Sequence, residues 1–270
     1  MLFISLVVYN KKIENIRSKE SIIKLCEEYG AQNIRVIVVD NSDKTFDSGD
    51  IFLSENEVTY IKNGKNLGLS KAYNRAVKCA KKISNAPEND FMLFLDDDTY
   101  IPYEYLKKVY KNYEALSHSD DGVNVITGLV KSGERPLSPM KGYRFRYKSN
   151  DYIVKPGIYD DITFINSGTA IRLGSIIEVN GFNEDLFLDM IDYTIAYELS
   201  RHRLCRVKVL NNILEQEFSG RTRVSKKRLL KRFNIYKKDF KKYCEITGRS
   251  KIFCRLALLK RRLMIELKSD

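Results

Sequence analysis

Short apolar runs alternate with amphipathic segments along most of this 270-residue chain. Nearly continuous apolar runs are typical of strands buried on both faces. Such runs occupy residues 2–8, 34–39 and 91–95. Further strands are predicted over residues 58–61, 123–130 and 207–210, and residues 162–171 show strand-like alternation. Apolar positions three and four apart predict helices over residues 12–28, 71–83, 102–116 and 186–200. The alternation predicts an α/β fold with a mostly parallel, doubly wound sheet, and an irregular excursion over residues 131–160.

Three consecutive carboxylates, Asp96 to Asp98, directly follow the apolar run 91–95. Open α/β sheets bind ligands at the carboxyl ends of their strands. Because adjacent carboxylates repel one another, a divalent cation that joins them to substrate phosphates would explain the cluster. The alternative is an acidic loop that caps the next helix, with Asp98 or Thr99 at the N-cap and Pro102 in the first turn.

The turn Asn66-Leu67-Gly68 opens the helix predicted over residues 71–83. Backbone N–H groups at a helix N-terminus bind anions, so this turn is a candidate contact for a pyrophosphate, with Lys71 one turn further on. It matches neither the dinucleotide-binding glycine fingerprint nor the P-loop. The alternative is a loop that only closes a strand–helix unit.

Asp189 and Asp192 are three residues apart in the helix predicted over residues 186–200, which places them on one face. Acidic residues near a helix N-terminus commonly complement the helix dipole, although Glu184 and Asp185 suit that role better. The residues around the pair are apolar, and a partly buried carboxylate can serve as a general base. Asp189 and Asp192 are therefore candidate catalytic residues.

Composition excludes several classes of protein. Five scattered cysteines predict free thiols in a reducing compartment and no disulfide framework. The apolar start lacks the basic region and the cleavage site of a signal peptide, and no apolar run reaches the length of a membrane span. His118 and His202 lie in no metal-ligand pattern, and the chain has no Gly-x-Ser-x-Gly elbow of a serine hydrolase.

The net charge of +12 is concentrated at the end of the chain. Residues 221–270 hold 18 Lys and Arg against 4 Asp and Glu, whereas residues 1–220 hold 29 against 31. This asymmetry predicts a near-neutral domain over residues 1–220, followed by a basic amphipathic helical region over residues 221–270.

Apolar residues recur at helical spacing in the basic region. They are Phe233, Tyr236, Phe240 and Tyr243, followed by Phe253, Leu256, Leu259 and Leu263. The stripe can pack on the domain and leave the lysines solvated. It can also form a basic amphipathic surface for anionic lipid. No nucleic-acid recognition motif accompanies the charge, so we expect no nucleic-acid partner.

Five motifs occur in the order of a known family. They are Val7-Val8-Tyr9-Asn10, Val38-Val39-Asp40-Asn41-Ser42, Asn66-Leu67-Gly68-Leu69-Ser70-Lys71-Ala72-Tyr73-Asn74, Phe94-Leu95-Asp96-Asp97-Asp98-Thr99 and Gly181-Phe182-Asn183-Glu184-Asp185-Leu186-Phe187-Leu188-Asp189-Met190-Ile191-Asp192. With these motifs, residues 1–220 resemble glycosyltransferase family 2, which has the Rossmann-like GT-A fold. Within the family, the chain is similar to bacterial rhamnosyltransferase-like and galactofuranosyltransferase-like enzymes of surface polysaccharide synthesis.

The resemblance implies a nucleoside-diphosphate-sugar donor, UDP- or dTDP-linked, and a bound Mg²⁺ or Mn²⁺. It assigns the donor to Tyr9, Asn10, Asp40, Asn66, Gly68, Lys71, Asp96 and Asp97. Within that set, Asp40 would contact the nucleobase and Asp97 would lie near the ribose. Asp98 would bind the metal, with Asp96 as a further ligand, and the metal would assist the departing nucleoside diphosphate.

The resemblance also assigns the base that deprotonates the acceptor hydroxyl. The family pattern favours Asp192, with Asp189 as the second candidate or as a residue that orients the acceptor. Two positions depart from the pattern. Thr194 replaces a glutamate, and residues 214–220 lack the histidine that the family has before a glycine, so Glu217 is a candidate replacement in metal binding.

The expected function is that of an inverting glycosyltransferase. It would add a sugar, rhamnose as the first candidate, to a lipid-linked polysaccharide acceptor at the cytoplasmic face of the membrane. The alternatives are a sugar nucleotidyltransferase of the same fold, for which the glycine-rich NTP-binding start is absent, and a non-catalytic module that binds membrane or nucleic acid. The oligomeric state is left open.

Overall fold

The computed structural model describes residues 1–43, 54, 57–119, 121–143, 148–215 and 225–267. The strands are β1 (Leu2–Val8), β2 (Ile34–Asp40), β3 (Val58–Lys62), β4 (Phe91–Asp96), β5 (Val125–Ser132), β6 (Arg135–Ser138), β7 (Met140–Lys141), β8 (Gly157–Asp160), β9 (Ile162–Thr163), β10 (Thr169–Arg172) and β11 (Arg206–Glu215). The helices are α1 (Lys19–Tyr29), α2 (Leu69–Ile83), α3 (Tyr103–Ser117), α4 (Leu173–Glu178), α5 (Ile191–Arg201), α6 (Lys226–Ile246) and α7 (Lys251–Glu266).

The central sheet has the order β3-β2-β1-β4-β10-β5-β11-β8, with β6 paired to β5. Strands β3, β2, β1 and β4 are mutually parallel, and β11 is parallel to β5. β10 runs antiparallel to both of its neighbours, β4 and β5. The predicted α/β fold with a mostly parallel sheet is therefore confirmed.

Helices cover both faces of this sheet because the side chains of each strand alternate between two cores. In β1, Leu2, Ile4 and Leu6 belong to the core under α1 and α3. Phe3 and Val7 belong to the opposite core, under α2, α4 and α5. Both faces of the strand are buried along its whole length, which explains why β1 is a nearly continuous apolar run and does not alternate between apolar and polar residues.

Strand register brings the polar ends of three strands to the same edge. Val8 of β1 lies opposite Asp40 of β2, and Val7 lies opposite Asp96 of β4. The segments that follow each strand therefore begin side by side. The candidate site lies at this carboxyl edge, as expected for an open α/β sheet.

Several predicted bounds were wrong. The helix predicted over residues 12–28 is a short 3-10 turn at Ile13–Asn15 followed by α1. Residues 131–160 contain β6, β7 and β8, and the run 162–171 is divided into β9 and β10. β6 forms a hairpin with β5, whereas β7, β8, β9 and β10 pair with strands further away in the sequence. Local hydrophobic periodicity does not carry the information on such pairing.

The basic region forms two helices that pack on each other and on the domain. The aromatic row of α6 is buried in a third core with Cys254 and Leu258 of α7 and with Met190 and Tyr193 from the start of α5. The predicted domain boundary at residue 220 lies within 216–224, outside the described residues, and stays a prediction. No helix in the described ranges combines the length and the apolar content needed to span a bilayer.

Candidate functional site

A cavity of about 290 Å³ opens at the carboxyl edge of the sheet. Its lining residues are Val7, Tyr9, Asn41, Asn66, Gly68, Leu69, Asp96, Asp97, Asp98, Phe187 and Leu188. The cavity thus joins the ends of β1, β2 and β4, the turn before α2, and the segment before α5. Its acidic side is formed by the three consecutive aspartates.

Asp97 connects β4 to the end of β1. The backbone N–H of Tyr9 donates to Asp97 Oδ2 at 2.7 Å, and Lys11 Nζ donates to Asp97 Oδ1 at 2.9 Å. The Tyr9 hydroxyl donates to Asp43 Oδ2 at 2.9 Å and lowers the pKa of that carboxyl. Among the three aspartates, only Asp97 forms an ion pair with a lysine or arginine in the part of the chain that the structure describes.

The turn before α2 is held by the buried side chain of Asn41. Its Oδ1 accepts the backbone N–H of Leu67 at 2.9 Å, and its Nδ2 donates to Asn66 Oδ1 at 3.1 Å. Gly68 follows with a φ of +87°, and a Cβ there would lie 2.7 Å from Phe187 Cδ2. The turn can therefore approach the segment before α5 only because residue 68 is glycine.

Three residues assigned to donor binding do not line the cavity. Asp40 is buried, where Oδ2 accepts the Tyr60 hydroxyl at 2.7 Å and Oδ1 accepts the Ser42 N–H at 3.0 Å. Asn10 is exposed, and its N–H donates to Ser42 Oγ at 2.8 Å. Lys71 lies exposed in the first turn of α2. Tyr9, Asn66, Gly68 and the three aspartates are brought together.

Asp96 lies at the inner end of the cavity. The hydroxyl of Tyr73, which is buried in α2, donates to Asp96 Oδ1 at 2.8 Å. Burial raises the pKa of Asp96 to about 6, and the charges of Asp98 and Asp97 add to the rise, while the Tyr73 hydrogen bond opposes it. An added cation would relieve this repulsion and restore the charged form.

Asp98 is the exposed member of the three and the candidate metal ligand. No group of three His, Cys, Asp or Glu side chains able to hold a metal occurs among the described residues. The described part of the protein would therefore bind a metal ion here through two carboxylates, those of Asp98 and Asp96. Mg²⁺ commonly binds through one or two carboxylates together with substrate phosphates, so this donor set fits a metal that arrives with a diphosphate.

Asp192 lies in the first turn of α5 and is half-buried. The backbone N–H of Asn166 donates to Asp192 Oδ1 at 3.3 Å, and the next residue, Ser167, accepts the N–H of Asp96 at 3.3 Å. Burial raises the pKa of Asp192 to about 7, the charges of Asp96 and Asp189 add to the rise, and the Asn166 hydrogen bond opposes it. A carboxylate with such a pKa can accept a proton near neutral pH.

Asp189 is not helical, so the prediction that it shares a helix face with Asp192 was wrong. Helix α5 begins at Ile191, after Met190 adopts a left-handed conformation with φ of 63°. Arg232 of α6 donates from both terminal nitrogens to the Asp189 carboxylate, with Nη2 at 2.8 Å from Oδ1. Because its charge is neutralised by this bidentate pair, Asp189 is the weaker candidate for the base.

The conformation of this segment is set by Asp239 of α6. The buried carboxylate accepts three consecutive backbone N–H groups, from Phe187 at 3.0 Å, Leu188 at 2.8 Å and Asp189 at 2.7 Å. Oriented N–H groups of this kind form an anion-binding concavity. A helix of the basic region thus fixes one wall of the cavity.

Sequence reasoning missed the roles of Lys11, Tyr73, Asn166, Arg232 and Asp239. Tyr73 lies in one of the motifs and Asn166 in a predicted strand. In each case a polar group among apolar neighbours was the available signal. Asp239, one of four acidic residues in the basic region, was a further signal. Thr194 is buried and donates to Met190 O, and Glu217 lies outside the described residues.

Comparison with known proteins identifies the family. The model of glycosyl transferase family 2 matches residues 4–174, more than half of the chain. No curated protein matches the sequence.

Solved structures share the fold at low sequence identity. A mannosyltransferase from Pyrobaculum calidifontis in complex with GDP-Man and Mn²⁺ is 14% identical, with a TM-score of 0.59 over 98% of this chain and 70% of its own. GalNAc-T7 with UDP, GalNAc and Mn²⁺ is 13% identical, with a TM-score of 0.59 over 83% of this chain and 45% of its own.

S. aureus TarS 1–349 is 17% identical, with a TM-score of 0.53 over 79% of this chain, which spans 59% of that fragment. These likenesses support the GT-A fold, and the family match confirms the resemblance carried by the five motifs. The chain therefore belongs to glycosyl transferase family 2.

Proposed function

We propose that this chain is a metal-dependent, inverting glycosyltransferase that moves a sugar from a nucleoside-diphosphate sugar to an acceptor hydroxyl. One observation carries the proposal: a single cavity has the candidate metal ligands Asp96 and Asp98 on one side and the segment leading into Asp192 on the other. A diphosphate and a reacting hydroxyl are the two groups that these carboxylates suit.

The nucleotide half of the donor occupies the ends of β1 and β2 in this proposal. Tyr9 and Asn66 line that part of the cavity and offer a ring and an amide group. A metal held by Asp98 and Asp96 would act as a Lewis acid on the leaving diphosphate. The complexes of the structural neighbours with UDP, GDP-Man and Mn²⁺ are consistent with this class of donor.

The sugar transfer is a single displacement. Asp192 accepts the proton of the acceptor hydroxyl while the hydroxyl oxygen of the acceptor forms a bond to the anomeric carbon of the donor. The bond between that carbon and the diphosphate oxygen breaks, and the nucleoside diphosphate leaves with the electron pair. Attack from the opposite face inverts the configuration. Asp189, already paired with Arg232, orients the acceptor.

The finer assignments rest on the motif resemblance and on the charge distribution. The donor sugar is rhamnose as a dTDP- or UDP-linked form, and the acceptor is a lipid-linked saccharide of a surface polysaccharide. The site of action is the cytoplasmic face of the membrane, where the basic region, with 18 Lys and Arg against 4 acidic residues, meets anionic lipid.

Calorimetry with UDP, dTDP and GDP, each with and without Mn²⁺, tests the donor class. We expect one nucleotide to bind only with the metal and Asp98→Ala to abolish this binding. Asp160→Ala, which removes an exposed carboxylate on β8, is the matched control and should bind as wild type. If folded wild-type protein binds none of the nucleotides, or binds one equally well without metal, the proposed metal-dependent reaction is wrong.

A further inference from the structure

Helix α7 has two apolar faces. One packs against α6: Cys254 and Leu258 are buried in the third core, and the Arg261 guanidinium lies 3.6 Å from the centroid of the Tyr236 ring. Lys226 at the start of α6 donates to the carbonyl of Glu266 at 3.0 Å, which connects the far end of α7 to the same helix. α7 is therefore a fixed part of the domain surface.

The second face carries an exposed apolar row at spacings of three and four. Its members and their exposed fractions are Ile252 (70%), Leu256 (61%), Leu259 (55%), Leu263 (47%) and Leu267 (84%). By helical geometry this outer row lies opposite the buried face. Single exposed leucines are ordinary on a protein surface, but five in one continuous row indicate a binding surface.

Basic side chains flank the outer row. Lys251, Arg255 and Arg262 lie along one side and Lys260 along the other, and all four are exposed. Glu266, the only acidic residue of α7, is ion-paired with Arg262 at 2.8 Å. A partner of this surface must therefore offer an apolar layer bordered by negative charge.

We propose that the outer row of α7 docks into the interfacial layer of a membrane that contains anionic lipid. An interfacial helix buries its apolar face below the headgroups while flanking lysines and arginines contact lipid phosphates. This surface meets both requirements, and its charge is complementary to that of the lipid. The placement of a lipid-linked acceptor at this membrane rests on the proposed function, whereas docking itself does not.

Other occupants fit the surface less well. A second copy of the chain packed through the same row would bring Arg255 and Arg262 against the like charges of its partner. Sequence-independent binding of single-stranded nucleic acid relies on aromatic side chains that stack on bases, and the outer row consists of isoleucine and leucine. The aromatic residues of α6 are buried against the domain and are not available.

The structure also changes which part of the basic region meets lipid. The sequence pattern assigned one stripe through both helices. Phe233, Tyr236, Phe240 and Tyr243 are buried, so they hold α6 on the domain, and Arg232 is engaged with Asp189. The lipid surface is thus the outer face of α7, and α6 connects it to the wall of the cavity.

Sedimentation of the full chain with vesicles of phosphatidylcholine, with and without phosphatidylglycerol, tests the proposal in the absence of donor and acceptor. We expect binding that requires phosphatidylglycerol and falls roughly tenfold or more in the double variant Leu256→Glu with Leu263→Glu. Arg255→Glu with Lys260→Glu should lose the preference for phosphatidylglycerol. Val154→Glu with Ile158→Glu places the same charges at two apolar positions, 57% and 45% exposed, elsewhere on the surface and should bind as wild type.

Thermal unfolding of each variant checks that the fold is retained, as expected for exposed positions. Wild type that does not sediment with anionic vesicles, or a Leu256→Glu, Leu263→Glu protein that binds as tightly as wild type, overturns the proposal. A concentration-dependent dimer that this double variant abolishes, without vesicle binding, overturns it in favour of a second copy. Nucleotide binding measured without vesicles tests the proposed function separately, so either can fail alone.

Discussion

Arg232 of α6 and Asp189, which precedes α5, form a bidentate ion pair, with Nη2 of the arginine 2.8 Å from Oδ1 of the carboxylate. The pair joins the basic region to the segment that leads into the candidate base, Asp192. It also distinguishes Asp189 from Asp192, which the local pattern of apolar and acidic residues left as joint candidates. Asp189 is held as a paired anion, whereas the pKa of Asp192 is raised to about 7 by burial and by neighbouring charges.

The ion pair should influence the pH dependence of the reaction. In Arg232→Gln the Asp189 charge is no longer offset, so Asp192 holds its proton more tightly and its pKa rises further. We expect the acidic limb of the kcat/KM profile to move to higher pH. Lys231→Gln removes an exposed charge from the neighbouring position and should leave the limb in place. A limb that is the same in Arg232→Gln and wild type contradicts this role.

Wild-type activity should depend on the deprotonated form of Asp192. Since the base must be charged, kcat/KM should fall as the pH drops through about 7. Asp192→Asn, which keeps the size of the side chain, should lower kcat by roughly 10²- to 10⁴-fold and remove this limb. Glu198→Gln, an acidic position later in α5, is the matched control. Retention of the limb in Asp192→Asn would assign it to another group.

The same pKa predicts the direction of a stability change. Between pH about 4 and about 7 the folded chain keeps a proton on Asp192 that the unfolded chain has lost. This group therefore makes the protein less stable as the pH rises through that interval. In Asp192→Asn that contribution is absent, so urea unfolding should show a smaller decrease in stability from pH 4 to 7 than in wild type. A decrease of equal size in both proteins would show that Asp192 does not cause it.

Asp239 should matter both for folding and for catalysis. Asp239→Ala leaves three partly buried N–H groups without their acceptor, and we expect a loss of about 2–4 kcal/mol in the free energy of unfolding by urea. Asp239→Asn keeps one acceptor oxygen and should lose less. Because the segment that leads into Asp192 loses its support, kcat should fall in both variants. Glu245→Gln, on an exposed part of α6, should change neither quantity.

Gly68 offers a test of the close approach between the two walls of the cavity. In Gly68→Ala the positive φ of +87° costs roughly 1–3 kcal/mol for a residue with a Cβ, and that Cβ would lie 2.7 Å from Phe187 Cδ2. Gly64→Ala shares the positive φ, +71°, but has open space around its Cβ. We expect both variants to lose stability and only Gly68→Ala to raise KM for the donor. An equal KM in the two variants would show that the approach is not needed for binding.

Much of the nucleotide side of the site could be predicted from the sequence. The apolar run of β4 predicted a buried strand, and strand direction then placed Asp96 to Asp98 at the ligand-binding edge. Asn66 and Gly68 became candidates because the turn that opens a helix can bind an anion, and both residues line the cavity. These predictions depend on local pattern and on a general property of parallel sheets.

The wall of the cavity that leads into α5 could not be predicted in the same way. The apolar residues around Asp189 suggested a helix that begins at residue 186, but the N–H groups of residues 187–189 donate to Asp239 instead of continuing into α5. Asp239 lies 50 residues further along the chain than Asp189. A contact of this range competes with helix formation and leaves no periodic signal in the segment itself.

Residues 187–189 contribute only their backbone N–H groups to the three bonds with the Asp239 carboxylate, and this has a consequence for which side chains of the wall can be replaced. Phe187 and Leu188 face the cavity, yet their side chains take no part in the bonds that set the course of the segment. Their identity can therefore change while the chain path is retained, so long as position 239 remains an acceptor. A designer who wishes to alter the lining of this wall should therefore vary residues 187 and 188 and leave Asp239 in place, because α6 sets the course of the segment.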